Sequence, residues 1–189
     1  MKPSVALVFL LFTVIACHNK GKAPLSKKDS ATNQAIADEM ESRLDQMKSL
    51  NPLSADKVKS MFPDEMNGMK LTDYTPINNE GYETGEANYK SDDGKELFVT
   101  IFDCVGEAGV GKYNLMYLSS LDTDSKDDDG YKKTIHFNGD KAIETYEKSD
   151  DRYTILFTAK KRLLIRVEGQ KTSLDELKEV VKHLDLSTN

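Results

Sequence analysis

Residues 131–168 read YKKTIHFNGDKAIETYEKSDDRYTILFTAKKRLLIRVE, and the pattern of apolar and turn residues in this segment predicts the central part of the fold. Four short segments within it are rich in β-branched and aromatic residues and are separated by turn residues, which is typical of β-strands. These segments are 131–137, 141–147, 153–158 and 163–168. The connections between them are short and can join only antiparallel neighbours. The sequence therefore predicts a meander of four antiparallel strands.

Patterns on both sides of the meander complete a predicted domain. Residues 173–176, Ser-Leu-Asp-Glu, form a capping box, and the segment that follows carries an apolar helical face. Before the meander, residues 86–90 and 96–104 read as a β-hairpin, and residues 111–121 have the length and the apolar stripe of a helix. We therefore predict one α+β globular domain over residues 51–189. It is expected to hold a mostly antiparallel β-sheet with flanking helices, among them an N-terminal helix and a C-terminal amphipathic helix.

The first seventeen residues have the layout of a bacterial export signal. Lys2 supplies a positive charge, residues 5–15 are an apolar run, and Ala16 is a small residue before Cys17. The run is much shorter than the ~20 residues that span a bilayer, which is typical of a secretory signal. Residues 14–17, Val-Ile-Ala-Cys, resemble the lipobox of bacterial lipoproteins.

This resemblance implies a cellular location for the protein. Residues 1–16 would be a signal peptide removed by cleavage, and Cys17 would carry a diacylglyceryl group with fatty acids such as palmitate. The mature chain would then be a lipoprotein of the cell envelope. Its lipid would anchor it to a bacterial membrane, either in the periplasm or facing the surface.

Two segments separate Cys17 from the predicted domain. Residues 17–31 are polar and contain Gly and Pro, so they are expected to be a flexible tether. Residues 32–50 predict an amphipathic helix, because four apolar residues recur at helical spacing. These residues are Ile36, Met40, Leu44 and Met47. The helix could be a stalk, a partner-binding helix or a brace on the domain, and a brace is expected because an isolated helix of this length is marginal in water.

The order of elements resembles a known architecture. A helix, two or three strands, a second helix, the four-strand meander and a final helix resemble the PsbP-like α-β-α sandwich. The resemblance covers roughly the last 120 residues of the chain. It implies a non-catalytic accessory or binding scaffold, which is a statement about the fold and not about a particular site.

Charge and cysteine content narrow the class of protein further. The 189 residues contain 26 Lys and Arg against 32 Asp and Glu, which gives a net charge of −6. Nucleic-acid binding needs clustered positive charge, so no nucleic-acid partner is expected. Cys104 is the only cysteine besides Cys17, and it ends an apolar stretch. We expect it to be a small buried hydrophobic residue.

Residues 122–130 form the one candidate metal site. Four carboxylates, Asp122, Asp124, Asp127 and Asp129, lie within nine residues and would attract Ca²⁺ weakly. The spacing Asp127-x-Asp129-Gly130 matches part of an EF-hand loop. Ser125 at the first ligand position and His136 at the twelfth exclude a true EF-hand.

Residues 106–112 resemble a phosphate-binding loop without completing it. They follow the pattern G-x-x-x-x-G-K, but Tyr113 stands where that motif needs Ser or Thr to bind Mg²⁺. We therefore interpret the segment as a structural turn between a strand and a helix. Its three glycines predict positive φ or close backbone approach at one or more of them.

No residue set in the sequence has the spacing of a catalytic, cofactor or metal centre. The sequence therefore predicts a lipid-anchored, non-enzymatic binding or accessory domain, whose partner is an envelope protein or a small ligand. Two alternatives stay open. One is an envelope hydrolase or transferase with an unsignalled site, and the other is a structural lipoprotein that associates through the 32–50 helix.

Overall fold

A computed structural model describes residues 27–79 and 82–188 of the chain, with side chains for residues 38–78 and 82–188. The predicted signal peptide, Cys17 and the first part of the predicted tether lie outside the described residues. One compact unit begins at Asp38, and the contacts given below belong to it. No helix within the described ranges is long and apolar enough to cross a membrane.

The described residues form four α-helices, a short 3₁₀ turn and nine strands. The helices are α1 (Lys27–Ser49), α2 (Ala55–Lys59), α3 (Gly106–Met116) and α4 (Leu174–Val181), and the 3₁₀ turn is Leu118–Ser120. The strands are β1 (Glu65–Met66), β2 (Met69–Asn79), β3 (Tyr82–Lys90), β4 (Glu96–Asp103), β5 (Ser125–Lys126), β6 (Gly130–Phe137), β7 (Asp140–Glu147), β8 (Arg152–Ala159) and β9 (Leu163–Gln170).

All nine described strands belong to one antiparallel sheet. Their order is β1-β2-β3-β4-β9-β8-β7-β6-β5, so each half of the sheet is a meander of neighbours in sequence. The two halves meet where β4 pairs with β9, from Glu96 opposite Gln170 to Asp103 opposite Leu163. The predicted α+β class, a mostly antiparallel sheet with a few helices, is confirmed. The predicted four-strand meander is confirmed as β6–β9.

One face of the sheet is apolar and carries α2 and α4. Side chains alternate between the two faces of a strand, and Val99, Ile155 and Val167 all lie on this face. Val58 of α2 and Leu177 of α4 are buried in the same cluster. The capping box predicted for α4 is present, with Ser173 as the N-cap residue and Glu176 as its partner.

The opposite face is apolar only at one end. There Met47 of α1 and Tyr113 of α3 are buried against Phe102, Leu156 and Leu164. Leu44 packs against this cluster as well. The C-terminal part of α1 therefore braces the sheet. Toward the other end of this face the strands present polar side chains that are partly exposed to solvent.

Two helices have boundaries that differ from the predicted ones. The first helix begins at Lys27 and not at residue 32, so residues 27–31 of the predicted tether are helical. This segment contains neither Pro nor Gly, and Lys, Ala and Asp do not interrupt a helix that continues behind them. The third helix begins at Gly106 and ends at Met116, whereas the sequence predicts 111–121. The predicted turn over 106–112 is therefore wrong, because these residues form the first turns of α3.

The glycines of α3 explain why the helix can begin so soon after β4. Gly106 has φ of +72°, a left-handed conformation that glycine adopts at little cost. A Cβ on Gly109 would lie 2.6 Å from the carbonyl carbon of Cys104. Positive φ and close approach are thus both present, as the three glycines predict, and only the helical conformation around them was not foreseen.

Candidate functional site

A pocket lies at the end of the sheet where two hairpin turns meet α1. Its volume is about 410 Å³, and we call it the hairpin-end pocket. It is lined by Arg43, Asn138, Gly139, Asp140, Thr158, Ala159, Lys160 and Lys161. Arg43 comes from α1, and the other residues come from the β6–β7 and β8–β9 turns and the adjoining ends of those strands.

The two turns have positive φ at both central residues, but different residues occupy these positions. The β6–β7 turn has φ of +52° at Asn138 and +85° at Gly139, and Asn-Gly is the pair that such tight hairpins favour. In the β8–β9 turn Lys160 and Lys161 have φ of +53° and +58°. Lysine in this left-handed region costs roughly 1 kcal/mol or more per residue. The second turn is therefore locally strained.

Arg43 is held beside the pocket by two neighbours, Asp140 and Tyr113. Its Nη1 donates a hydrogen bond to Asp140 Oδ2 at 3.3 Å, and its guanidinium carbon lies 5.6 Å from the centre of the Tyr113 ring. The same Asp140 oxygen accepts a hydrogen bond from Thr158 Oγ1 at 2.9 Å. The Arg43 side chain is 17% exposed, and its buried Nε has no hydrogen-bond partner among the described residues. Among the guanidinium nitrogens, Nη1 alone has a hydrogen bond to a described residue.

Two tyrosines of the α3 region support this end of the sheet. Tyr117 donates a hydrogen bond from its hydroxyl to the carbonyl oxygen of Lys141 at 2.5 Å. The buried hydroxyl of Tyr113 has no partner in the described structure. Burial raises the pKa of both groups, that of Tyr117 to about 12. Both hydroxyls are therefore protonated at neutral pH and can donate hydrogen bonds, but they are not suited to act as bases.

Glu144 is a buried carboxylate elsewhere on the sheet. Its side chain is 2% exposed and accepts from Lys133 Nζ at 2.8 Å and from the Tyr131 hydroxyl at 2.7 Å. Burial, followed by the neighbouring Glu144, raises the pKa of Tyr131. The three groups satisfy one another, so the cluster needs no ligand. Strand alternation puts Glu144 on the face of Ala142, but that pattern alone does not reveal its partners.

Asp103 and Arg162 form a second closed cluster. Arg162 donates from Nε and Nη2 to the two carboxylate oxygens of Asp103, both at 2.7 Å. The backbone N–H of Leu53 also donates to Asp103 Oδ2 at 2.7 Å, and Arg162 reaches the carbonyl oxygen of Asn51 at 2.8 Å. This cluster ties the segment after α1 to the sheet.

Three of the four predicted weak Ca²⁺ candidates, all except Asp129, have partners for their carboxylates among the described residues. Asp122 Oδ2 accepts from Lys141 Nζ at 2.6 Å, and Asp124 Oδ1 accepts from the backbone N–H of Thr134 at 2.8 Å. Asp127 Oδ1 accepts from the N–H groups of Asp129 and Gly130. Within residues 38–78 and 82–188, no group of three or more His, Cys, Asp or Glu side chains is placed to hold a metal ion. Weak Ca²⁺ binding stays a hypothesis.

Cys104 is a buried apolar residue, as predicted. It is fully buried, and burial, with a smaller contribution from Asp103, raises the pKa of its thiol to about 12. A thiol in this state is not a nucleophile at neutral pH. Lys112, the lysine of the incomplete phosphate-binding pattern, lies 5.2 Å from the centre of the Phe102 ring. This lysine therefore lies against an aromatic side chain of β4.

Sequence reasoning did not find the hairpin-end pocket. Arg43 lies on the polar side of the predicted N-terminal helix, and Lys160 and Lys161 read as an ordinary solvated turn. The indication of this site in the sequence is a pair of lysines at turn positions where Asn and Gly are favoured. No pattern within one segment connects that turn with Arg43, which lies more than a hundred residues away in the sequence.

Comparison with known proteins adds no relative. No protein-family model matches the chain, and neither a curated protein nor a solved structure similar to it was found.

Proposed function

We propose that this chain is a lipid-anchored lipoprotein of the bacterial cell envelope whose domain binds a ligand without catalysing a reaction. The N-terminal sequence supports the anchor, since residues 14–17 resemble a lipobox. The observation that carries the binding role is the hairpin-end pocket. There Arg43, Lys160 and Lys161 bring hydrogen-bond donors to one open volume of about 410 Å³.

The chemistry of the buried groups favours binding over catalysis. Glu144 and Asp103 are each held in a closed set of hydrogen bonds. The thiol of Cys104 and the hydroxyls of Tyr113 and Tyr117 have raised pKa values. A nucleophile or general base needs the opposite shift, toward a pKa near or below the working pH. These described groups therefore give the hydrolase or transferase alternative no support.

The packing of α1 also supports a binding domain. Met47 is buried in the core and Leu44 packs against it, so this end of the apolar stripe is already covered by the sheet. A partner helix could not use these two residues without unpacking them. Helices that flank the sheet would complete the scaffold implied by the PsbP-like resemblance, and such scaffolds bind or assist other molecules.

The anchor is tested by metabolic labelling of the full-length chain expressed in a bacterium. We expect labelled palmitate to be incorporated and the protein to fractionate with membranes. Cys17→Ala should abolish both the label and signal-peptide cleavage, because the acylated thiol is lost. Cys104→Ala is the matched control, since its thiol is buried, and it should keep the label. Label retained in Cys17→Ala, or no label in the wild type, would contradict the proposal.

A further inference from the structure

We propose that the hairpin-end pocket binds a phosphate group, with Arg43, Lys160 and Lys161 as its contacts. The inference rests on the proposed binding function and names its site and ligand class. Four observations carry it: the local charge, the residues of the strained turn, the placement of Arg43, and the balance of donors and acceptors.

The residues that line the pocket carry a net positive charge, opposite in sign to the net charge of the chain. The chain has a net charge of −6, but the residues that line the pocket include three cations and one carboxylate. That carboxylate, Asp140, is engaged by Arg43 and by the hydroxyl of Thr158. Among the described residues neither Lys160 nor Lys161 forms an ion pair, although a weak electrostatic effect of Lys160 reaches Asp185. The local excess of positive charge favours an anion.

The β8–β9 turn places two successive lysines at positive φ beside the pocket, whereas Lys171, with φ of +58°, is a single lysine in this region outside the pocket. The neighbouring β6–β7 turn meets its demand for positive φ with Asn138 and Gly139. The β8–β9 turn places lysine in the same region of φ twice in succession. Backbone geometry would favour Asn and Gly at both turns. Strain of this kind is found at functional sites, where the side chain serves a purpose that the backbone does not.

Arg43 is positioned before any ligand arrives. Asp140 fixes one end of the guanidinium, and the ring of Tyr113 lies against it. Its planar fork suits the oxygens of a phosphate, and a fixed fork loses little freedom on binding.

The cationic side chains of the pocket only donate hydrogen bonds, so they favour a ligand that is rich in acceptors. Arginine and lysine side chains donate hydrogen bonds and accept none. Three such groups reach the pocket from α1 and from the β8–β9 turn. A phosphate group offers oxygens in several directions and carries one or two negative charges, whereas a carboxylate offers two oxygens in one plane. The phosphate could be part of a small soluble compound or of a lipid head group.

The test is calorimetric titration of the full chain in a non-ionic detergent. Inorganic phosphate stands for the soluble source, and glycerophosphoglycerol for a lipid head group. We expect saturable binding of one of them with Kd of about 1 mM or tighter. Saturation by inorganic phosphate identifies the soluble source, and saturation by glycerophosphoglycerol alone identifies the head group. Absence of saturable binding to both would overturn the proposal.

Paired variants separate a site from nonspecific attraction. Lys160→Asn/Lys161→Gly should weaken binding at least tenfold, while the melting temperature without ligand stays the same or rises. Lys160→Arg/Lys161→Arg keeps both charges and should keep binding. The matched control Lys70→Asn/Lys148→Asn removes the same charge from exposed positions outside the pocket and should change affinity little. Equal losses in this control and in the pocket variant would overturn the proposal.

These results are independent of the lipid anchor. If phosphate fails to bind while Cys17 still incorporates palmitate, the ligand assignment is wrong and the lipid anchor stands. If phosphate binds but no label is incorporated, the pocket stands and the anchor does not.

Discussion

Two glycines of α3 illustrate how position decides the role of a single residue. A Cβ on Gly109 would meet the backbone of Cys104, where the helix crosses the end of β4. Gly111, two residues later, is exposed and has nothing within 4 Å of an added Cβ. Close packing explains the first glycine. The second has no steric reason in the described structure, and in a helix it costs stability relative to alanine.

The two glycines should therefore respond to alanine in opposite directions. We expect Gly109→Ala to destabilise the protein by about 1–3 kcal/mol, because the backbone must shift to accept the methyl group. Gly111→Ala should stabilise it by about 0.5–1 kcal/mol through helix propensity alone. Urea unfolding followed by circular dichroism measures both. Destabilisation of similar size in the two variants would show that the close approach at Gly109 is not the cause.

At the scale of elements, α4 shows how one side chain can fasten a helix to the sheet. The Glu176 carboxylate accepts from the backbone N–H of Ser173 at 2.7 Å and from Lys95 Nζ at 2.5 Å. Lys95 belongs to the β3–β4 connection, so the capping box also joins the helix to the other half of the sheet. The bond from Lys95, followed by that from Ser173, lowers the pKa of Glu176 to about 2.

This lowered pKa predicts an acid-dependent loss of stability. The pKa of Glu176 lies below that of an unfolded glutamate, about 4.3. Its contribution is therefore fully present above that value and is lost as the pH falls toward 2. Because the side chain is 34% exposed, we expect only about 1 kcal/mol.

The measurement is unfolding free energy against pH between pH 6 and pH 2. Glu176→Gln should remove part of the acid-induced decrease seen in the wild type. Glu179→Gln is the matched control, since Glu179 pairs with Lys182 at an exposed position of the same helix. A pH profile of Glu176→Gln that matches the wild type would refute this role.

At the scale of the whole molecule, Asp103 and Arg162 join parts of the chain that are distant in sequence. Asp103 ends β4, Arg162 lies in the β8–β9 turn, and both bind the backbone of residues 51–53. Asp103 is fully buried and the Arg162 side chain is 11% exposed. The pair therefore fixes the segment between α1 and α2 against the seam between the two meanders. It also positions the turn that carries Lys160 and Lys161.

Replacing one partner of the Asp103–Arg162 pair should lower the stability of the protein more than replacing both. We expect Asp103→Asn to destabilise the protein by about 3–5 kcal/mol, because it leaves the Arg162 charge without its partner in a largely buried place. Replacing both, as Asp103→Leu/Arg162→Met, should recover part of that loss. Chemical denaturation of the two variants and the wild type measures the difference. A double variant less stable than Asp103→Asn would indicate that the hydrogen bonds to residues 51–53 matter more than the charge pair.

Features that depend on neighbours along the chain could be predicted from the sequence. The four strands of the meander, the hairpin of β3 and β4, and the capping box of α4 all follow from local patterns. Alternating side chains, turn residues and caps act over a few residues, so they can be read without the fold. Strand β2, which lies next to the two-residue edge strand β1, was not predicted, because its polar residues and Pro76 lack clean alternation. The α+β class followed from the order of the recognised elements.

Contacts between segments that are distant in the sequence depend on the packing of the whole domain. The pairing of β4 with β9 joins two meanders that could each have formed an edge, and the burial of both faces selects it. The start of α3 at Gly106 depends on the close approach of Gly109 to Cys104. Helix propensities describe single residues and do not include such a contact. The hairpin-end pocket has the same origin. Arg43 meets Lys160 and Lys161 because packing α1 on the sheet outweighs the repulsion among three cations, one of which Asp140 neutralises.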